Sequence, residues 1–359
     1  MRLLFSRGPA LGAAAALVSL TACAGGGSQS ATGGAQSMLP QSHLSALGAL
    51  RQPNAPLSLG SLAPVQRMEN RSALRFVDPD AVKVQVDVAQ YGVNSAPGEA
   101  NAYAAGNKKN KKPFCQISPL TGVNAIETDA SGNLWVPQVT ESYVNEVVEY
   151  APDCGKPGTV LSDPDGQPVD IAFAASGITY VSNILGPSSS TVGSISIYPK
   201  GATTPSGELT NSSVFYSLGV AVDSKGNVYQ SFLGNSSGTA GGVLEFKGGK
   251  GAGKVLKGIK IDEPGTVFID ANDNLIVPDQ GAPSLNTYKP PYSKLASSIP
   301  LQNQSIQCAV DKAEDNVACA DRANEGVDVY AYPAGTYQYS FTNGLSSSLA
   351  TIGIAQDPP

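Results

Sequence analysis

Gly219-Val220-Ala221-Val222-Asp223-Ser224-Lys225-Gly226-Asn227-Val228-Tyr229 is the stretch on which the fold turns. An alternating apolar run meets an Asp, a short polar segment carries Gly and Asn, and a second apolar run resumes. That is strand, tight turn, strand, with the turn chemistry supplied by Asp, Gly and Asn. The pattern returns on both sides of this stretch, at residues 125–136, 170–181, 266–277 and 307–319, and its first half returns at 353–357. With positions 129, 174, 223, 270, 311 and 357 as markers, the spacings are 45, 49, 47, 41 and 46.

A third apolar run follows each hairpin and ends on an aromatic residue: Tyr150, Tyr198, Phe246, Tyr288 and Tyr332. Three or four strands per period of this length, with no helical periodicity, predict the blades of a β-propeller. The chain stops after the first strand of its sixth unit. The missing strands are expected at the other end, where Val82 to Val88 alternates and leads into Tyr91 in the aromatic place. Residues from about 73 to 118 then complete the blade that Ile352 to Asp357 begins, which closes the ring and removes its free edge. The expected fold is all-β: a six-bladed propeller over residues 73–359, with N- and C-terminal strands sharing one blade.

The consensus G-[VI]-A-x-D-x-x-G-N-[VL]-[YW]-V resembles the NHL-repeat propellers and the wider gluconolactonase and regucalcin-like group, over roughly residues 73–359. The resemblance implies the fold. It leaves activity open, because this group includes lactonases, lyases and pure binding scaffolds. Regucalcin-like members hold a divalent metal in the central region with Glu, Asn and Asp side chains.

Composition fits this reading. Of 359 residues 14% are charged, against 39 Gly, 26 Pro and 14 Tyr, which disfavours helical bundles and favours short strands joined by turns. Acids outnumber bases 29 to 23, so the basic face of a nucleic-acid binder is not expected. A single His, His43, removes the parts for a His-rich zinc site or a Ser-His-Asp triad.

Residues 1–22 carry Arg2 and Arg7 and then an apolar run from Ala10 to Leu20, the layout of a secretory signal. Leu20-Thr21-Ala22-Cys23 resembles the lipobox of bacterial lipoproteins, whose Cys is lipidated and becomes the first mature residue. A Gly/Ser-rich and then Pro/Ser-rich stretch, 23–72, reads as a flexible tether with a reach of roughly 40 Å. The expected location is therefore the bacterial cell envelope, with Cys23 held in a membrane leaflet and the propeller facing the periplasm or the exterior. Loss of the two signal arginines leaves 21 bases against 29 acids, a mature charge of −8.

Four cysteines remain, and three pairings are possible. Cys308 and Cys319 stand opposite one another across a predicted hairpin, which favours their disulfide; Cys115 and Cys154 then staple the closing blade to the first full blade. Buried free thiols are the alternative.

Candidate chemistry is sparse. Gly248 to Lys254 looks like a phosphate loop, but Val255 stands where Ser or Thr is needed and a strand pattern follows, so no nucleotide is expected. Lys108, Lys109, Lys111 and Lys112 form the one basic run, a solvated loop able to touch an anionic surface. Two places before the marker, four units carry Ala172, Ala221, Ala309 and Ala355 and one carries Phe268, whereas the first full blade carries Glu127. A carboxylate there requires a partner or water. Asp170, two places further back on the next blade, is the candidate neighbour. Glu127, Asp170 and Asp279 are thus the candidate ligands for a Ca²⁺ or Mg²⁺ ion in the central channel. The loops entering the first strand and leaving the second form the rim where propellers bind ligands; it offers Gln138, Asn183, Glu263, Gln280, Asp321 and Arg322, the last able to clamp a carboxylate or sugar acid.

Three functions fit these residues. The first is a membrane-anchored binding module with an envelope protein or glycan as partner. The second is a metal-dependent hydrolase or lyase acting on a lactone or sugar acid. The third is a structural envelope protein without a small ligand.

Overall fold

The computed structural model describes residues 85–92, 97–139, 145–164, 166–186, 192–238 and 240–356. The signal segment, the lipid site Cys23, the tether 23–72 and the propeller residues expected at 73–84 lie outside the described residues.

Six four-stranded antiparallel sheets make the propeller. The closing blade has the order β24-β1-β2-β3, with β1 at Gln85–Gly92, β2 at Gly98–Ala104, β3 at Cys115–Leu120 and β24 at Leu349–Gln356. Blade 1 holds β4 (Glu127–Thr128), β5 (Leu134–Val139), β6 (Asn145–Tyr150) and β7 (Pro157–Ser162). Blade 2 holds β8 (Pro168–Phe173), β9 (Thr179–Asn183), β10 (Ser194–Tyr198) and β11 (Gly207–Leu209). In blade 3 are β12 (Tyr216–Val222), β13 (Val228–Leu233), β14 (Gly241–Phe246) and β15 (Lys254–Val255). Blade 4 comprises β16 (Phe268–Ile269), β17 (Leu275–Asp279), β18 (Ser284–Tyr288) and β19 (Ser297–Pro300). Blade 5 comprises β20 (Cys308–Val310), β21 (Asn316–Asp321), β22 (Gly326–Ala331) and β23 (Tyr337–Phe341). The ring closes through β1 and β24, paired from Val86↔Gln356 to Gly92↔Leu349. Residues 248–253 form a glycine turn from β14 into the short strand β15, so the phosphate-loop lookalike has no helix behind it.

The repeated Asp earns its place in the turn between the first two strands. Asp223 accepts the N–H groups of Lys225 and Asn227 at 2.9 and 2.8 Å, the Asn227 amide at 2.7 Å and the Tyr229 hydroxyl at 3.0 Å. Asp129 does the same with Ser131, Asn133 and the Trp135 indole, and Asp270 and Asp311 repeat the pattern with Asn274 and Asn316. Blade 2 has Ala174 at this place and makes the turn with backbone bonds alone, Gly177 N–H to Ala174 and Ala174 N–H to Ile178.

The aromatic that ends each third strand docks on the blade before it. Tyr198 donates its hydroxyl to the Ser162 carbonyl at 3.0 Å, Tyr103 to Asn343 at 3.2 Å, and Tyr330 accepts the Gln302 N–H at 2.8 Å. Two expectations are corrected here. Tyr103, not Tyr91, fills the aromatic place of the closing blade, because the β1 segment is its second strand and pairs with β24, leaving the third place to β2. In blade 5 the place belongs to Tyr330, while Tyr332 reaches back to Asp270 of blade 4 at 2.7 Å.

Apolar clusters fill the space between neighbouring blades, as where Ala89, Ile117, Val136 and Ala355 join the closing blade to blade 1. Each large side chain buried there contributes about 1.5–3 kcal/mol. Cys115–Cys154 and Cys308–Cys319 are bonded; the first links the closing blade to blade 1 and the second crosses the β20–β21 hairpin.

Candidate functional site

The innermost strands β4, β8, β12, β16, β20 and β24 run past one another around the axis, and their crowding sets the site. At the level two residues before the marker, Ala172 packs with the blade 2–3 cluster, Ala221 with blade 4, Ala309 with the closing blade and Ala355 with blade 1. These alanines pack into the seams between blades, Ala221 and Ala355 buried and Ala172 and Ala309 partly so, which is why the place demands a small residue. Two exceptions stand at this level on opposite blades, Glu127 and Phe268.

Two residues further back stand Ala125, Asp170, Gly219, Thr266, Gln307 and Gly353, longer polar residues mixed with small ones. A Cβ on Gly353 would lie 2.5 Å from the Asn124 carbonyl, and one on Gly219 2.6 Å from the Thr266 Cα, so strands meet there backbone to backbone. The polar members stitch the ring. Asp170 accepts the Val220 N–H of blade 3 at 2.9 Å. Gln307 of blade 5 accepts the N–H of Ile354 at 2.9 Å and of Ile126 at 3.0 Å, and returns its amide to the Ile126 carbonyl at 2.8 Å. One glutamine therefore ties three inner strands together.

Glu127 and Asp170, on adjacent inner strands, are the expected pair that the structure does bring together. Burial pushes the Glu127 carboxyl up to about 7, against the pull of the Thr128 N–H. Asp170 is pushed well above the carboxylate range, first by burial and then by the neighbouring charge of Glu127, while the Val220 and Ile171 N–H groups work the other way. The pair holds protons where ordinary carboxyls have lost them.

Asp279 is not with them. It ends β17 and caps its own turn, accepting the N–H of Gly281 at 3.0 Å and of Ala282 at 3.3 Å. Among the described residues no three His, Cys, Asp or Glu side chains gather into a group able to hold a metal. Of the three residues expected to hold a central cation, Glu127 and Asp170 lie together, and both accept backbone N–H groups, from Thr128 at 3.1 Å and from Val220 at 2.9 Å.

The rim residues expected to meet a ligand are largely built into the chain. Gln138 accepts the Thr121 N–H at 3.3 Å, Asn183 donates to Ser196 at 2.8 Å, and Gln280 donates to the Pro264 carbonyl at 3.0 Å. Asp321 accepts Ala323 and Asn324 N–H groups and the amides of Asn324 and Asn303. Glu263, partly buried, presents its carbonyl to the Gln280 N–H at 2.8 Å. Arg322, partly buried beside Glu325, loses some of its preference for the charged form through desolvation. Glu325, absent from the expected set, is raised by burial and accepts the Thr351 N–H at 2.7 Å.

What sequence reasoning missed is the apolar character of the mouth itself. Ala125, Val169, Ile184, Leu218, Pro264 and Ile306, one or two from each of five blades, surround a small pocket of about 20 Å³, with Asn124, Thr266 and Gln280 as its polar edge. The space suits a water or a protruding methyl group rather than a metabolite. Leu185 and Phe215 extend the apolar surface on the blade 2–3 side.

Known proteins place this architecture. No family model matches the chain, and no curated protein matches it. Solved structures do match in fold. A chain of the nidogen/laminin complex aligns with a TM-score of 0.59 at 14% identity, covering 77% of this chain and 98% of that one. A protein of unknown function from Bacteroides caccae aligns with a TM-score of 0.56 at 11% identity, covering 76% and 98%. The chain is a six-bladed β-propeller, a fold compatible with a binding or interaction module.

Proposed function

We propose that this protein is a lipid-anchored envelope propeller that binds another macromolecule through the mouth of its ring. The observation that carries the reading is the layout of that mouth. An apolar centre drawn from five blades sits inside a polar border that includes Arg322, Glu325 and Asp279, the anatomy of an interface core with its rim. A propeller chain in the nidogen/laminin complex supports the same use of the fold. The end of the closing blade where Gln85 pairs with Ala104 also carries the exposed Lys108 to Lys112 loop, a basic run able to meet an anionic membrane surface.

The test is Ile306→Asp, which places a charge at the partly buried edge of the pocket; because Ile306 also packs against Tyr91, Ala350 and Ile352 of the closing blade, the melting temperature of the variant is measured alongside. Photo-crosslinking in intact cells from a probe at Phe215 is expected to give one dominant adduct with an envelope component, lost in Ile306→Asp. Crosslinking only to the opposite end of the ring refutes the reading.

A second reading rests on one observation, the protonated Glu127–Asp170 pair. A carboxyl near 7 suits general acid–base chemistry of the kind that opens a lactone. Hydrolysis of a lactone panel by the wild type, abolished in Glu127→Gln, would establish it.

A further inference from the structure

The loop between β2 and β3 reads Asn107-Lys108-Lys109-Asn110-Lys111-Lys112, two asparagines each followed by two lysines. Four ammonium groups so close repel one another, and the asparagines hold them in place. Asn107, 8% exposed, accepts the Lys111 N–H at 2.8 Å and donates its amide to the Lys111 carbonyl at 3.0 Å. Asn110 takes the left-handed conformation that Asn tolerates, accepts the N–H groups of Thr342 and Asn343 at 2.9 and 2.8 Å, and receives the Asn343 amide on its carbonyl at 2.9 Å. The lysine side chains take no part in this frame. All four are exposed, and none is ion-paired with a described carboxylate; Lys108 holds its Nζ 5.9 Å from the centre of the Tyr339 ring.

This loop belongs to a wider pattern. Each third strand ends beside the residue that opens the second, as Phe246 does beside Val228 and Tyr288 beside Leu275, so the connections from third to fourth strand all leave from the end of the ring where the Asp turns lie. Those of blades 1 to 4 carry Lys156, Lys200, Lys247, Lys250, Lys289 and Lys294, all exposed, and Asp153 is the one acid on the six connections. The inner hairpins of the same end hold further acids, but these are committed to the frame. Asp223 and its equivalents close their own turns, Asp273 accepts the Ser224 N–H and hydroxyl at 3.0 and 2.7 Å, and Glu314 accepts the Ala271 N–H at 2.6 Å. The apolar mouth lies at the opposite end, among residues such as Asn124, Ala125 and Ile306 that come just before the inner strands begin. A chain of net charge −6 thus gathers exposed lysines on one end, around the outside of the ring.

The spread of these charges selects the partner. A small anion needs ammonium groups that converge, whereas these are distributed over five of the six blades. An extended polyanion would run on from them over a molecule that is acidic as a whole. A bilayer meets one end only, and its anionic headgroups can gather beneath fixed lysines within the roughly 8 Å over which the attraction acts in physiological salt. We propose that the lysine-bearing end of the ring, led by Lys108, Lys109, Lys111 and Lys112, is a docking face for anionic phospholipid headgroups, which seats the propeller on its membrane with the mouth turned away from the bilayer. The lipid on Cys23 keeps the protein at the membrane, and the lysines orient it there. The proposal rests on the envelope location proposed above; its failure leaves that location and the binding role of the mouth untouched.

The test uses residues 23–359 carrying Cys23→Ser, which keep every described strand and have no lipid, so that the face acts alone. The protein is sedimented with vesicles of phosphatidylcholine and with vesicles of equal parts phosphatidylcholine and phosphatidylglycerol. Binding is expected to the anionic vesicles only, to be lost as salt rises from about 0.05 to about 0.5 M, and to weaken about fivefold for each of Lys108, Lys109, Lys111 and Lys112 changed to Gln. A bimane attached at Ala105→Cys, exposed beside the loop, should be quenched by spin-labelled lipid, and one at Phe215→Cys should not. Equal sedimentation with both kinds of vesicle, sedimentation with neither, or a fourfold Lys→Gln variant that binds as wild type does overturns the inference. Retention on immobilised heparin without sedimentation on anionic vesicles also overturns it and assigns the lysines to a soluble polyanion, and quenching at Phe215 as strong as at Ala105 overturns the orientation.

Discussion

Replacing Glu127 by Gln keeps the shape and the acceptor for the Thr128 N–H but removes the ionisable proton. The consequence is pH-dependent with a definite sign. Glu127 titrates at about 7 in the folded protein against 4.5 in the free side chain. Below about pH 4.5 both folded and unfolded states keep the proton, and the wild type and the variant differ only by packing. Between 4.5 and 7 the unfolded chain releases a proton that the folded chain retains, so wild-type stability falls as pH rises. Above 7 the loss is complete. At 1.36 kcal/mol per tenfold it amounts to about 3 kcal/mol for a fully enclosed carboxyl. Glu127 is only partly buried, so screening reduces the expected figure to about 2 kcal/mol. Removing the negative charge also relieves Asp170, which adds in the same direction. Urea unfolding should thus give coincident curves for the two proteins at about pH 4, with Glu127→Gln more stable by about 2 kcal/mol at about pH 8. A difference that does not vary with pH refutes the argument. A variant less stable than wild type at pH 8 also refutes it, because the carboxylate would then be charged and paired, as a bound cation at the axis requires.

Two further outcomes follow from the frame. Cys115–Cys154 closes a sequence separation of 39 residues and Cys308–Cys319 one of 11, so loop-closure entropy assigns about 4 and about 3 kcal/mol to them; paired Cys→Ala variants compared by urea unfolding should rank in that order, and the reverse order counts against the closing staple. Gly219→Ala drives a Cβ to within 2.6 Å of the Thr266 Cα and 2.7 Å of the Val267 N, both backbone, and should cost about 1–3 kcal/mol in the same assay; an unchanged midpoint would mean that blades 3 and 4 are not in contact at that level.

The parts of this molecule that were legible in the sequence are those whose chemistry is local and repeated. Asp223 collects its partners from residues two to six places ahead, so the turn announces itself in a dozen residues, and five such hairpins with the first strand of a sixth set the blade count. The closing blade was legible only in part. Alternation marks 82–88 as strand material, but the strand's place in the blade is decided by pairing with a segment at the far end of the chain, and Tyr103 proves itself the aromatic only by reaching Asn343. At the site, Glu127 stood out against the alanines of its neighbours, and Asp170 followed from blade adjacency. The turn-capping bonds of Asp279 were not legible, because a carboxylate at a strand end looks the same in sequence whether it faces a ligand or caps the next turn. Along the rim, polarity is visible in sequence, but the commitment of Gln280 to the Pro264 carbonyl is not. The relay from Asn183 through Ser196 to Asp163 at the blade 1–2 seam was hidden but for its first member, a rim residue at the end of a second strand, since nothing in the spacing of Asp163 and Ser196 relates them to it. A repeat makes departures at equivalent positions conspicuous and leaves sites built between inequivalent positions invisible. In such a protein the seams between blades therefore have to be searched in three dimensions, even when the inner strands can be searched by alignment of the chain with itself.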